Sequence, residues 1–378
     1  MKKLYFASAR TPEISYEVSM VAKLEEILEQ ADLSRYIKEG DYVAIKTHFG
    51  SRGGHRVIRP IFLRKIADAV KKVGGNPFIT DTVRPKGLEY LEIANIQGIN
   101  HLSMGCPVIL ADGLFGRNYV RVYAGESIGD IGVASEIYDA DAMIVVTHSK
   151  GHIQSGFGGA VKNLGMGAIA ARNRDGTTER GRIHAVARVR IIHVGENCIL
   201  CGKCAEACDH NAISVKDEFE IDDKKCVKCG RCIEACDQKA LQMERDEERF
   251  QKTLAEAAGA ALSTFEKGKV FYISFLTEIM PHCDCHPHAD VPIVNDQGIL
   301  AGDDPVAIDK ASLDIIESKN PLPDSAAEGL EKGKGLLEKV TKKNPYVHIM
   351  KAAELGLGEL EYELEVIEKK KKGDSQRW

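Results

Sequence analysis

Residues 198–212 read CILCGKCAEACDHNA, and residues 226–240 read CVKCGRCIEACDQKA. Each run holds four cysteines at the spacing C-x2-C-x2-C-x3-C, and the second begins 18 residues after Cys208. This is the one clear internal repeat, and it divides the chain. On both sides the sequence follows α/β grammar. Upstream, KLYFASA (3–9), YVAIKTHF (42–49), NPFITDT (76–82), PVILAD (107–112), YVRVYA (119–124) and AMIVVTHS (142–149) are apolar or β-branched runs of strand length. Helical spacing runs over 17–32 and from Ile61 to Val73, where Gly74-Gly75 stops it. Downstream come a charged helix from Glu244 to Phe265 and a strand, KVFYISFL (269–276). DDPVAIDKASLDIIE (303–317) opens on a cap-like Asp-Asp-Pro and reads as an amphipathic helix. Strands separated by helices predict βαβ units, hence an α/β fold with a mostly parallel sheet and flanking helices.

The bulk composition narrows the classes. The chain has 378 residues, 44% hydrophobic and 28% charged, which is ordinary globular composition. A formal net charge of -5 gives no general case for a nucleic-acid partner. No window approaches the roughly 18 consecutive apolar residues of a membrane span, so no membrane association is expected. The start, MKKLYFASARTPEIS, lacks the apolar stretch of a signal peptide, which points to the cytoplasm. In that compartment eleven cysteines argue for metal binding or redox chemistry rather than a disulfide framework.

A cubane iron–sulfur cluster needs four thiolates. The C-x2-C-x2-C spacing lets a tight loop supply three and turn its amides toward the cluster sulfides. Residues 190–245 resemble bacterial-type 4Fe–4S ferredoxins, in which the last cysteine of each run ligates the other cluster. The resemblance implies one cluster on Cys198, Cys201, Cys204 and Cys236, and a second on Cys226, Cys229, Cys232 and Cys208. Zinc commonly takes paired C-x2-C units or cysteine with histidine, a poorer match to two consecutive four-cysteine runs. The proline usual after the fourth cysteine is replaced by Asp209 and Asp237. The expected organisation is an α/β domain in two parts, 1–190 and 246–378 with a charged tail, interrupted by a small α+β two-cluster ferredoxin-like insert at 191–245.

Three histidine-bearing segments follow predicted strands, where α/β sheets bind ligands. IKTHFGSRGGH (45–55) carries His48 and His55. THSKGHIQSGFGGAVKNLGMG (147–167) carries His148, His152, Lys162 and Asn163. Its loop Ser155, Gly156, Gly158 and Gly159 opens a helix N-terminus suited to an anion. MPHCDCHPHAD (280–290) packs His282, Cys283, Asp284, Cys285, His286, His288 and Asp290 together. Cys283, Cys285, His286 and His288 are candidates for a third metal site. Cys106 reads as core.

The order IKTHFG, THSKGH…GGAVKNLGMG, cysteine insert, LAGDDPVAIDKAS resembles the iron–sulfur proteins of domain of unknown function family 362, over roughly residues 1–320. A fainter similarity, on His152, Ser155, Gly156, Gly158, Gly159 and Lys162, is to the nickel-dependent lactate racemase family. That likeness implies histidine and lysine around a bound cofactor. The expected function is an electron relay through two 4Fe–4S clusters, between a redox partner protein and a cleft holding His48, His148, His152, Lys162 and His282. An oxidoreductase of a small anionic substrate or cofactor is the leading reading. The alternatives are a non-catalytic carrier or docking protein and a metal-handling protein using 282–290. Flavin or an additional metal stays open.

Overall fold

The computed structural model describes residues 1–84, 86–173, 178–285, 287–333 and 335–367. His286 and the lysine-rich tail lie outside them. The chain divides into two compact units, one of Met1–Arg180 with Gln251 onward, the other of Gly181–Phe250.

The larger unit is built on eight strands: β1 (Lys2–Ser8), β2 (Tyr42–Lys46), β3 (Asn76–Asp81), β4 (Val108–Leu110), β5 (Ala142–His148), β6 (Val270–Leu276), β7 (Gly298–Gly302) and β8 (Tyr362–Val366). Their order in the sheet is β8-β1-β7-β6-β5-β2-β3-β4. Only β7 runs against its neighbours; every other pairing is parallel. The expected α/β class with a mostly parallel sheet and flanking helices is what the chain adopts. Every residue of β5, AMIVVTH, is buried, as a strand covered on both faces requires. Helices Met20–Ala31 and Pro60–Lys72 pack their apolar stripes, Leu24, Ile27, Leu28 and Leu63, Ile66, Val70, into one core with β2, β3 and β6. Cys106 belongs to that core.

Two segments differ from their sequence reading. YVRVYA forms a hairpin, Tyr119–Gly125 against Gly129–Ala134, outside the large sheet. Its half-buried alternation suits a two-stranded ribbon, not a central parallel strand. Helix Pro305–Glu317 is not amphipathic: only Lys310, Asp314 and Ile315 escape full burial. Its cap is as read, with the Asp304 carboxylate accepting from the Val306 and Ala307 amides at 2.9 Å each. Asp309, inside this helix, is fully buried and accepts from the backbone N–H of Ala160 at 2.5 Å and Val161 at 2.9 Å. It thereby closes the N-terminus of helix Ala160–Gly167. A Cβ on Gly159 would lie 2.3 Å from that carboxylate, so only glycine admits the contact.

The smaller unit is a repeat in backbone as well as sequence. Strand Arg188–His193 pairs antiparallel with Leu241–Arg245, and Ile213–Val215 with Phe219–Ile221. Short helices Lys203–Glu206 and Arg231–Glu234 carry the third cysteine of each run. Leu200, Gly202 and Asn211 have φ of 54°, 78° and 48°, and their counterparts Lys228, Gly230 and Lys239 have 55°, 90° and 53°. Among the described residues no helix is long and apolar enough to cross a membrane.

Asp309→Ala strips two buried amides of their acceptor. Denaturant unfolding of the full chain should register a loss of about 1–3 kcal/mol; an unchanged midpoint would show the cap to be dispensable.

Candidate functional site

In the large sheet, β2, β3 and β4 step one way, and β5 is laid on the other side of β2. The carboxyl ends of β2 and β5 therefore flank a topological switch point, where α/β proteins bind ligands. Lys46 and His48 leave the end of β2, Asp81 the end of β3, and His148 and Lys150 the end of β5. Asp284 comes from the loop after β6.

Asp81 is the hub. Lys46 Nζ lies 3.1 Å from Oδ1, and His48 Nδ1 lies 3.0 Å from Oδ2. The Tyr90 hydroxyl donates to the same Oδ2 at 2.5 Å. Burial alone would raise the Asp81 pKa, but Lys46 and the His48 and Tyr90 contacts outweigh it and hold the carboxyl well below its usual range. Burial pushes the His48 ring down to about 4, against the upward pull of Asp81. With Nδ1 engaged by the carboxylate, His48 Nε2 is left buried and without a partner among the described residues. A neutral imidazole oriented by a carboxylate through one nitrogen, with the other open, has the form of a general base.

A second carboxylate repeats the arrangement. Asp284 takes Lys150 Nζ at 2.9 Å and faces His148 Nδ1 at 3.3 Å; all three side chains are buried. His148 Nε2 lies 2.7 Å from the Thr277 carbonyl. Burial works against the Asp284 charge, but Lys150 and His148 carry its pKa well below the ordinary value. Lys162 makes no hydrogen bond or ion pair with any described residue. Burial, then the neighbouring Lys150 and Arg84 cations, lower it to about 7. Arg180 anchors the far side by donating to Thr82 Oγ1 at 2.9 Å and the Val83 carbonyl at 2.6 Å.

The sequence candidates separate into groups. His48, His148 and Lys162 belong to these linked clusters. Asn163 acts as a strut: it accepts from Lys46 and donates to the Val146 carbonyl at 3.1 Å and Thr147 Oγ1 at 3.0 Å. Lys150–His152 and Gly156–Gly158 form a tight hairpin, and Ser155 Oγ bonds the Phe157 carbonyl at 2.8 Å. The helix N-terminus beyond Gly159, read as an anion site, is filled from within by Asp309. His152 Nδ1 receives the Ser155 amide at 3.1 Å. One of its ring nitrogens lies within 4.8 Å of the sulfurs of Cys283 and Cys285, which are joined in a disulfide. His282 keeps a buried Nδ1 without a partner among the described residues and stands 6.2 Å, ring to ring, from the exposed His288. His55 is exposed. Lys46, Asp81, Tyr90, Lys150 and Asp284 were not singled out as site residues. Asp81 carried a signal, as an acidic residue at the carboxyl end of the predicted strand 76–82.

In the smaller unit the cysteines wall two cavities. One is lined by Cys198, Cys201, Cys204 and Cys236. The other is lined by Cys208, Cys226, Cys229 and Cys232. The Ala212 and Ala240 amides donate to Cys208 Sγ and Cys236 Sγ, each at 3.3 Å. Burial first, then the facing Cys229 and Cys226, push the Cys232 thiol up to about 11. Such a set ionises together only around a cation. Asp209 pairs with Arg231, and Asp237 with Lys203, so each aspartate in the proline position is neutralised by the other run.

Because folding depresses the His48 pKa, the unfolded chain takes up that proton first. The stability from the neutral ring is complete above about pH 6.5 and is lost as pH falls toward 4. NMR titration of the His48 ring should give a midpoint near 4. Asp81→Asn, which removes the upward pull, should lower it further; a wild-type midpoint at the ordinary histidine value would contradict this geometry.

No curated protein matches the chain. Two solved structures match it at low identity and low TM-score. The lactate racemase apoprotein from Thermoanaerobacterium thermosaccharolyticum is 14% identical at a TM-score of 0.31, with 72% of this chain and 50% of that one covered. A Thermotoga maritima protein is 12% identical at a TM-score of 0.33, with 68% of this chain and 50% of that one covered. The chain thus spans about half the length of each. A family profile described as "Domain of unknown function (DUF362)" matches residues 43–314. That span is well over half of the sequence, and the chain belongs to the DUF362 family.

Proposed function

We propose that this DUF362 protein is an iron–sulfur redox protein carrying two 4Fe–4S clusters in its cysteine unit. One set of ligands is Cys198, Cys201, Cys204 and Cys236; the other is Cys226, Cys229, Cys232 and Cys208. The observation that carries the reading is that each cavity is walled by three cysteines of one run and the fourth of the other. Paired left-handed turns and matched amide-to-sulfur hydrogen bonds support it. Clusters of this kind supply one-electron transfer. The chain's own contribution is to enclose the thiols and aim amides at their sulfurs, which tunes potential.

The second half of the proposal concerns the cleft of the α/β unit. Its chemistry suits a small anionic substrate or cofactor that is oxidised or reduced there. Lys46 and Lys150 are each matched by a carboxylate, whereas Lys162, beside Arg84, has no such partner among the described residues and is placed to meet an incoming negative charge. His48, oriented by Asp81, is placed to accept a proton at Nε2. A redox partner protein in the cytoplasm would exchange electrons with the clusters.

Protein purified without oxygen should contain about eight irons and eight sulfides per chain. Cys198→Ser and Cys236→Ser should lose the same cluster and keep the same residual electron paramagnetic resonance signal. Cys226→Ser and Cys208→Ser should keep the other. Zinc in place of iron, or Cys236→Ser grouping with Cys226→Ser, would overturn the assignment.

A further inference from the structure

We propose that the Cys283–Cys285 disulfide is a two-electron redox couple of the α/β unit, with His152 as its hydrogen-bonding neighbour. The proposal rests on the iron–sulfur reading for its source of electrons.

The bond has little to do as a staple. It joins residues two apart, and the stabilisation from a cross-link grows with the loop it closes. The surroundings hold the loop in place without it. Asp284, between the cysteines, is tied to Lys150 at 2.9 Å and faces His148 at 3.3 Å. The Gly151 amide donates to the Met280 carbonyl at 2.8 Å, and a Cβ on Gly151 would lie 2.2 Å from the Pro281 carbonyl oxygen. The loop is therefore seated against the hairpin that carries His152. Opening the bond leaves the two sulfurs adjacent, ready to close again.

The state of His152 suits a hydrogen-bond donor rather than a metal ligand. Backbone amides of Gln154 and Ser155 donate to Nδ1 at 3.3 and 3.1 Å. The neutral ring therefore carries its own proton on Nε2. Metal-bound histidines instead donate their second ring N–H outward. With a ring nitrogen within 4.8 Å of both sulfurs, the imidazole stands where its N–H can turn to a nascent thiolate as a hydrogen-bond donor and stabilise it. Cys283 is 1% exposed and Cys285 8%, so a partner protein's thiol has no room to attack in line, whereas electrons need no such access.

The step balances. The S–S bond breaks, two electrons and two protons enter, and two thiols form. Both protons come from solvent, and the neutral His152 ring keeps its own. The two electrons arrive singly, one from each cluster, each cluster being oxidised by one electron. The couple thereby converts one-electron carriers into a two-electron store beside the cleft.

Oxygen-free holoprotein, oxidised with an excess of a one-electron dye such as thionin and desalted, is titrated with dithionite while cluster absorbance is followed. Wild type should take up about four electrons per chain and Cys283→Ser/Cys285→Ser about two. Samples unfolded in denaturant with an alkylating reagent at each stage, then mapped by peptide mass, should show Cys283 and Cys285 passing from disulfide to alkylated thiols as the extra electrons enter. His152→Gln should keep the count but alter the pH dependence of the couple's midpoint; Cys285→Ser alone replaces the double variant if that one is unstable. Cluster bleaching with about two electrons in wild type overturns the couple alone. Absence of cluster absorbance overturns the iron–sulfur reading beneath it. Stoichiometric zinc or nickel bound by reduced wild type and lost in the serine variants makes the loop a metal site, which also overturns the couple.

Discussion

The buried carboxylate of Asp81 is the constraint on which the α/β cleft depends. A carboxylate this enclosed is tolerated only when its charge is matched and its lone pairs are engaged. Lys46 and His48 meet those demands from the end of β2, and Tyr90 from the helix Gly87–Ile96. Each partner is then fixed in turn. Lys46 is held against Asn163, whose amide ties the helix Ala160–Gly167 to the end of β5. A Cβ on Gly167 would lie 2.0 Å from Lys46 Nζ, so the helix must present glycine there. The proton state of His48 follows from the same carboxylate. Asp284 repeats the device one strand away, with Lys150 in the place of Lys46 and His148 in the place of His48.

The cysteine unit solves a different problem with the same logic. Four thiols facing one another in an apolar pocket repel ionisation, and a bound cation reverses that repulsion. The repeat makes both pockets from one pattern, and the exchange of the fourth cysteine gives each run a stake in both. Asp209–Arg231 and Asp237–Lys203 cross between the runs in the same sense. These pairs are exposed and contribute little stability. Their effect is to cancel the negative charge that replaces the usual proline, so the aspartates do not act on the cysteine pockets as bare anions.

Much of this was legible in the sequence, for physical reasons. Continuous apolar runs such as AMIVVTHS can only be strands covered on both faces, and the glycine pair after Val73 ends a helix wherever it occurs. His48 and His148 were visible because they close such strands. The harder parts were those set by long-range burial. Asp309 sits in a sequence that looks amphipathic, and nothing local reveals that its carboxylate closes a helix almost 150 positions earlier in the chain. The glycine-rich stretch 155–159 looks like an anion loop, yet its flexibility serves a tight hairpin and the close approach of Asp309. Lys46 and Lys150, in IKTHFG and THSKGH, carry no local mark of the burial that sets each against a carboxylate.

The central claim is that the eight cysteines form two crossed sets around iron. Anomalous diffraction at the iron edge, from crystals grown and cooled without oxygen, tests it directly. The account predicts two iron-rich peaks in each chain, one enclosed by Cys198, Cys201, Cys204 and Cys236, the other by Cys226, Cys229, Cys232 and Cys208. Peaks at the zinc edge instead, or a peak held by all four cysteines of a single run, would contradict it.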